Sequence, residues 1–231
     1  MTAHLVETPP ARTDWMTTAP PRLRRVVGAV CLPATFLAML ATGPLDPFDD
    51  EATAAVQLGQ LHGHVATVHA LAQVELLAAA LAAGLVLAFA GLTRGRGRGL
   101  ANAGVVLGVL GVLGMALVAV NHLVLAALAD QPVAVGAQIV DALHAGAGPV
   151  ALVALMAMPL AMVLLASAGF RAGFVPAPAF ALALAFFVGE LVPGLPGGEV
   201  GPLLLGLLAF GWTAVVIIRG GQETSGPRSA E

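Results

Sequence analysis

A chain of 231 residues that is 58% hydrophobic and only 10% charged, with a mean hydropathy of +0.93, is not an ordinary soluble domain, in which about one residue in four is charged. The formal net charge of −3 offers no polyanion-binding surface, so no nucleic-acid partner is expected. The segments outside the apolar stretches are too short to form an independent core for a soluble hydrolase or kinase, which leaves an integral membrane protein with the lipid bilayer as its first partner.

Weakly charged stretches at about 26–45, 70–93, 100–128, 149–169, 174–192 and 201–218 are each expected to cross a hydrocarbon core of ~30 Å at ~1.5 Å rise per residue. They read as helices, because in lipid a single segment satisfies its own backbone only as a helix, and the alternative is a closed barrel. Barrel strands alternate polar and apolar residues; LLAAALAAGLVLAFAGL (76–92) and AGVVLGVLGVLGMALVAV (103–120) do not. The expected fold is an all-α bundle of six transmembrane helices over 22–219, between disordered tails at 1–21 and 220–231 that are rich in Pro, Thr, Gly and Ser.

Positive residues are retained on the cytoplasmic side, and every one here is an arginine: Arg12, Arg22, Arg24, Arg25, Arg94, Arg96, Arg98, Arg171, Arg219 and Arg228. Six spans place them all on one side, so both termini are expected in the cytoplasm and the protein in the plasma membrane as a multi-pass chain. A secretory or twin-arginine signal at Arg24-Arg25 is the rival reading. The stretch LATGP, with Pro44 behind Gly43, is a poor cleavage context, and the arginine partition works only if the first span stays. Cys31 is the single cysteine, which rules out an intramolecular disulfide.

After the first span, DPFDDE (46–51) has the acidity of a calcium loop without its alternating oxygen ligands or central glycine. It reads instead as the N-terminal cap, through Asp49 or Asp50, of a short amphipathic helix over 51–61. HGHVATVHALAQVE (62–75) then brings His62, His64 and His69 to the outer end of the second span. His69 and Gln73 share a face at i,i+4. Glu75 lies about 9 Å deeper than His69 at helical rise and about 120° around the helix, so the two need not meet. An ionisable group at that depth costs ~2.5–3.5 kcal/mol and ordinarily faces a bundle interior; with no lysine in the chain, Glu75 is expected to be protonated, histidine-paired or cation-bound.

Between the second and third spans, TRGRGRG carries Arg94, Arg96 and Arg98, expected to touch anionic headgroups. The third span holds Gly104, Gly108, Gly111 and Gly114, a small-residue stripe that permits close backbone approach to another helix of this chain, a second copy or a partner subunit. Asn121 and His122 end that span on the outer side. Asp141 and His144, three apart on one face of a short helix, precede the fourth span, whose Met156, Met158 and Met162 read as core filler. Glu190, just before Pro193, lies near the outer interface of the fifth. A three-plus-three inverted repeat fails on depth, since Glu75 is early in its span and Glu190 late in its own.

The basic tail, six spans, GLTRGRGRGLANAG (91–104) turn and Ala/Leu/Val/Gly-rich core resemble a large group of six-span membrane proteins of high-GC Gram-positive bacteria. That likeness covers about 22–219 and implies a membrane location. Six spans also look like small permease subunits of export systems that protect producers of antibiotic peptides.

Three functions follow from these residues. The first is a transporter-like, permease-like or ligand-binding protein whose outward polar site is Glu75, His69, Gln73, Asn121, His122 and Glu190. The second is an accessory subunit acting through the glycine stripe. The third is a metal or haem enzyme ligated by His62, His64, His69, Asp141 and His144. No cofactor is expected under the first two, and haem, zinc or copper under the third.

Overall fold

The computed structural model describes residues 21–48, 53–61, 63–93, 97–192 and 200–223. Through them run seven α-helices: α1 (Pro21–Thr42), α2 (Ala54–Leu61), α3 (Val65–Leu92), α4 (Arg98–Ala127), α5 (Val133–Ala172), α6 (Ala177–Leu191) and α7 (Val200–Glu223), with a 3-10 turn at Gly43–Leu45. Five stretches are long and apolar enough to cross a bilayer: Arg25–Leu45, Val65–Leu92, Arg98–Ala127, Val133–Ala172 and Val200–Arg219. The chain is an all-helical, multi-pass membrane protein.

Two elements depart from the sequence expectation. α6 has 15 residues, about 22 Å at helical rise, short of the ~30 Å of hydrocarbon. α5 has 40, about 60 Å, and begins at Val133 rather than near 149. Polar residues such as Gln138, Asp141 and His144 mark where a helix leaves an apolar medium, but they do not end it, because the i to i−4 bonds are the same in lipid and in water. The short helix expected before the fourth span is therefore the first part of α5. The amphipathic helix expected over 51–61 is α2, while Asp49 and Asp50, its expected caps, lie outside the described residues.

The helices show which side faces which solvent. On the lipid-facing surfaces, large aliphatic side chains are exposed, among them Val106, Val150, Val153 and Leu208, a pattern that in water would constitute one large apolar patch. Toward the neighbouring helices the buried residues are mostly small, such as Ala72, Ala79 and Ala82 on α3 and Ala157, Ala161 and Ala168 on α5. Without a hydrophobic force between helices in lipid, close van der Waals contact is what holds them together. The buried hydroxyls are satisfied within their own helices: Thr35 donates to the carbonyl of Cys31 at 2.7 Å, Thr93 to Phe89 at 2.8 Å and Thr213 to Ala209 at 2.9 Å.

Around the bundle α1 packs on α3, α3 on α4, α4 on α5, α5 on α6, α6 on α7 and α7 on α1, closing a ring. Neighbours run antiparallel, so Arg25, Arg98, Arg171 and Arg219 gather at one end. α2 lies across the other end, burying Leu58 and Leu61 against Leu125, Ala126 and Val140. Within the ring, aromatic rings fill the centre: Phe36 stacks on Phe210 at 5.2 Å and meets Phe186 edge-on at 5.4 Å, while Phe89 contacts Phe174 at 5.5 Å and Phe210 at 6.1 Å.

The closest approach is between α4 and α5. A Cβ placed on Gly114 falls 2.5 Å from the backbone nitrogen of Leu155, and one on Gly111 falls 2.8 Å from Cα of Met158. Gly104 abuts Leu165 of α5 and Gly108 abuts Val86 of α3. The whole stripe is buried inside this chain, so of the partners the sequence left open it is other helices of this chain, α3 and α5, that pack on it. Gly97, at φ 103° with its absent Cβ 2.7 Å from the carbonyl oxygen of Ala168, starts α4 in a conformation that disfavours any residue with a Cβ.

Backbone cannot yield as a side chain does, so Gly114→Ala is expected to cost about 1–3 kcal/mol by overpacking. Gly59→Ala, where nothing lies within 4 Å, is expected to be neutral or mildly stabilising. Thermal unfolding of the two variants in detergent checks the pair.

Candidate functional site

The interior face of α3 is set by a repeat of small and apolar residues: Val68, Leu71, Ala72, Ala78, Ala79, Ala82, Leu85, Val86 and Phe89 are buried. Glu75 falls on that same stripe, one turn past Leu71 and one before Ala78 and Ala79. His69 and Gln73 fall off it and are exposed. On α4 the glycine stripe continues through Met115 and Ala119 to His122, also buried. The two stripes face each other, and they bring Nδ1 of His122 to 2.7 Å from Oε2 of Glu75. At that separation one proton is held between imidazole and carboxylate, and the two side chains are only 11% and 14% exposed.

Neighbouring groups enclose the pair. The ring of Phe48, beyond the 3-10 turn, stacks on His122 with centroids 6.0 Å apart. Phe48 is held in place as its backbone N–H donates to the Asp46 carboxylate at 3.0 Å. Asn121, one residue before His122, turns toward α5 and lies 3.3 Å from Nε2 of His144 through its side-chain oxygen. α3, α4 and α5 are thus joined by polar contacts at the end of the bundle away from the arginines.

At the same level the ring holds a cavity of about 560 Å³, to which each of its six helices contributes: Met39 from α1, Glu75 from α3, Met115 from α4, Met156 from α5, Glu190 from α6 and Leu203 from α7. Among the described residues, Glu75 and Glu190 are the acidic ones lining it, and no arginine lines it. Met39, Met115, Met156, Met158 and Met162 all line it, five of the seven methionines in the chain. Pro159, inside α5, also lines it together with Leu155. A proline has no N–H to offer the carbonyl four residues back, so the Leu155 carbonyl loses its usual helical donor beside the cavity. Phe36 and Phe186 line its base, where the aromatic cluster closes the centre of the bundle toward the arginine end.

The sequence-derived candidates separate cleanly on this geometry. Glu75 and Glu190, from helices far apart in sequence, share one cavity, and His122 holds Glu75. Asn121 joins His144 instead. His69 and Gln73, expected at the mouth, point away from the cavity, because their i,i+4 relation aligns them with each other and off the buried stripe. For the expected metal or haem centre, His62 lies outside the described residues, His64 Nδ1 bonds the carbonyl of Gln60 of its own chain segment at 3.1 Å, and His69, Asp141 and His144 are exposed. Among the described residues no three of His, Cys, Asp or Glu gather as a metal cluster. Arg94 and Arg96 lie outside the described residues, and Arg98 opens α4.

Sequence reasoning missed Phe48 and the convergence of the methionines. Met156, Met158 and Met162 read as core filler, yet all three line the cavity. The continuation of the small-residue stripes to Glu75 and His122 was the available signal for their pairing. Comparison of the chain with family models, with curated proteins and with solved structures finds no match.

Polar pairs between helices in a bilayer contribute about 0.6–2 kcal/mol. A double-mutant cycle of Glu75→Gln and His122→Leu, followed by thermal unfolding in detergent, is expected to return a coupling energy in that range. Strict additivity of the two single changes would mean that the contact contributes nothing to stability.

Proposed function

We propose that this chain is a small transporter-like, permease-like or ligand-binding protein of the plasma membrane, which receives a small molecule in the central cavity and uses Glu75 as its proton- or cation-responsive group. The observation that carries this reading is that Glu75 both lines the cavity and contacts His122. A buried carboxylate with an imidazole partner is a group whose charge can change without being stranded in hydrocarbon. A volume of 560 Å³ falls in the ~300–1,000 Å³ range of small-molecule sites.

In this reading the bundle crosses the membrane six times, α6 reaching across with Phe174, Val175 and Val192 and with local thinning of the bilayer. The arginine end faces the cytoplasm under the positive-inside rule, so both termini are cytoplasmic and the cavity belongs to the outer half. The compositional resemblance to six-span proteins of high-GC Gram-positive bacteria agrees with this topology. An accessory role through the glycine stripe loses its support because α3 and α5 already occupy that stripe.

Two measurements test the proposal. Reporter fusions after Asp130 and after the last residue are expected to report outside and cytoplasm; the opposite assignment overturns the orientation. In a Cys31→Ala background, Val118→Cys places a thiol on the cavity wall. A membrane-impermeant thiol reagent added to intact cells is expected to label it, and a Val118→Cys protein inert from outside but labelled from inside contradicts an outward cavity.

A further inference from the structure

Resting on that reading of the cavity as a ligand site, we propose that its occupant is the hydrocarbon chain of a lipid, which enters sideways from the outer half of the bilayer.

The wall is the first argument. Its polar side chains are already engaged: the Glu75 carboxylate is held by His122 at 2.7 Å, the Thr42 hydroxyl donates to the carbonyl of Met39 at 2.6 Å, and Glu190 is not free either. What the wall offers a ligand is aliphatic, aromatic and thioether surface, as at Phe36, Met115, Val118, Met156, Met162 and Leu203. A sugar, a nucleotide or an amino acid would leave its own polar groups without partners there, and ordered water needs several polar partners of its own. An apolar cavity inside a protein takes apolar ligands. Methionines, unbranched and flexible, mould to a chain of varied outline.

Depth and size are the second. Met158 stands about 20 Å along α5 from Arg171, and Glu75 about 25 Å along α3 from Leu92, at helical rise. Measured against ~30 Å of hydrocarbon, the cavity lies at the level of the acyl chains in the leaflet away from the arginines. A space of 560 Å³ accommodates one chain rather than a whole two-chain lipid.

Access is the third. Met156 on α5 and Val192 at the end of α6 both line the cavity, yet they are 44% and 45% exposed. Around them Leu152 and Val153 of α5 and Val188 and Leu191 of α6 are exposed aliphatic residues, the surface that a membrane helix turns to lipid. The cavity wall is therefore continuous with a lipid-facing surface, and the molecules that meet it there are lipid chains.

The test is photolabelling of the full chain, purified in a sterol-based detergent that carries no alkyl tail, with n-hexadecanol bearing a diazirine at mid-chain. Saturable labelling is expected, with adducts on the cavity residues of α4 and α5. Unlabelled n-alkanols are expected to compete, each added methylene tightening binding about fourfold until the chain outgrows the cavity. Val118→Trp, which sets a large ring on the wall, is expected to cut labelling by about tenfold or more, whereas Leu113→Trp, on the exposed side of the same helix, leaves it unchanged. Should Val118→Trp disturb folding, which size-exclusion chromatography reads, Met156→Trp at the exposed rim carries the same expectation. Added n-hexadecanol is also expected to slow the reaction of Val118→Cys with the thiol reagent. A phosphatidylcholine with the same diazirine chain separates the sources: labelling by it as well assigns the tail of a bilayer phospholipid, and labelling by the alcohol alone assigns a single-chain lipid. Adducts spread over Leu113, Val150 and Leu208, or saturable labelling that neither cavity tryptophan reduces, overturn the proposal. If Val118→Cys reacts from outside yet no saturable labelling occurs, the lipid chain fails and the outward cavity survives; if the thiol is inert from outside and labelled from inside, the outward cavity itself fails.

Discussion

In hydrocarbon there is no solvent to accept or donate a hydrogen bond, and this protein is organised around that lack. The backbone answers it by closing into helices. Ser167 answers it locally by donating to the carbonyl of Val163 at 2.7 Å, as Thr35, Thr93 and Thr213 do within their own helices, so that these hydroxyls are satisfied without help from a neighbouring helix. Glu75 has no such local solution. A carboxylate on the buried stripe of α3 needs a partner from another element, and His122 provides one at 2.7 Å.

That contact depends on the packing beneath it. Glu75 and His122 meet because α3 and α4 approach closely, with Val86 against Gly108, and α4 is in turn seated against α5 through glycines with no Cβ in the way. The small residues thus set the distances, and the polar groups occupy the end of a scaffold already fixed by them. The same arrangement explains where the cavity is. Near the arginine end aromatic rings and leucines fill the ring of helices; toward the other end the fill of the described residues changes to methionines and two carboxylates around the cavity.

Much of this was legible in one dimension. Helical class and membrane insertion follow from apolar runs, because a helix in lipid is a local solution to a local requirement. Glu75 stood out for the same reason: one ionisable residue in a long apolar run carries an insertion cost that does not depend on its neighbours. The choice among its three expected states, however, needed a second helix. The sequence left His69 and His122 side by side among the outer polar candidates; the buried stripe of α3 excludes His69, and the extension of the glycine stripe of α4 includes His122. Likewise the methionines of α5 read as filler, since a cavity formed by six helices leaves no periodic trace on any one of them.

The sequence by itself determined what each segment is: an apolar helix, a short amphipathic helix, a basic turn. Those properties arise from interactions within a few residues and from the transfer of side chains between water and lipid, both additive along the chain. Only the tertiary structure decided which segments touch: the ring order of α1, α3, α4, α5, α6 and α7, the burial of the glycine stripe within the chain, the pairing of Glu75 with His122, and the meeting of Glu75 with Glu190 at one cavity. The physical reason is that these helices are apolar all round, so their periodicity does not say which face turns inward. That choice is made by the fit of small residues against neighbouring backbones, a property of pairs of helices that no single helix carries.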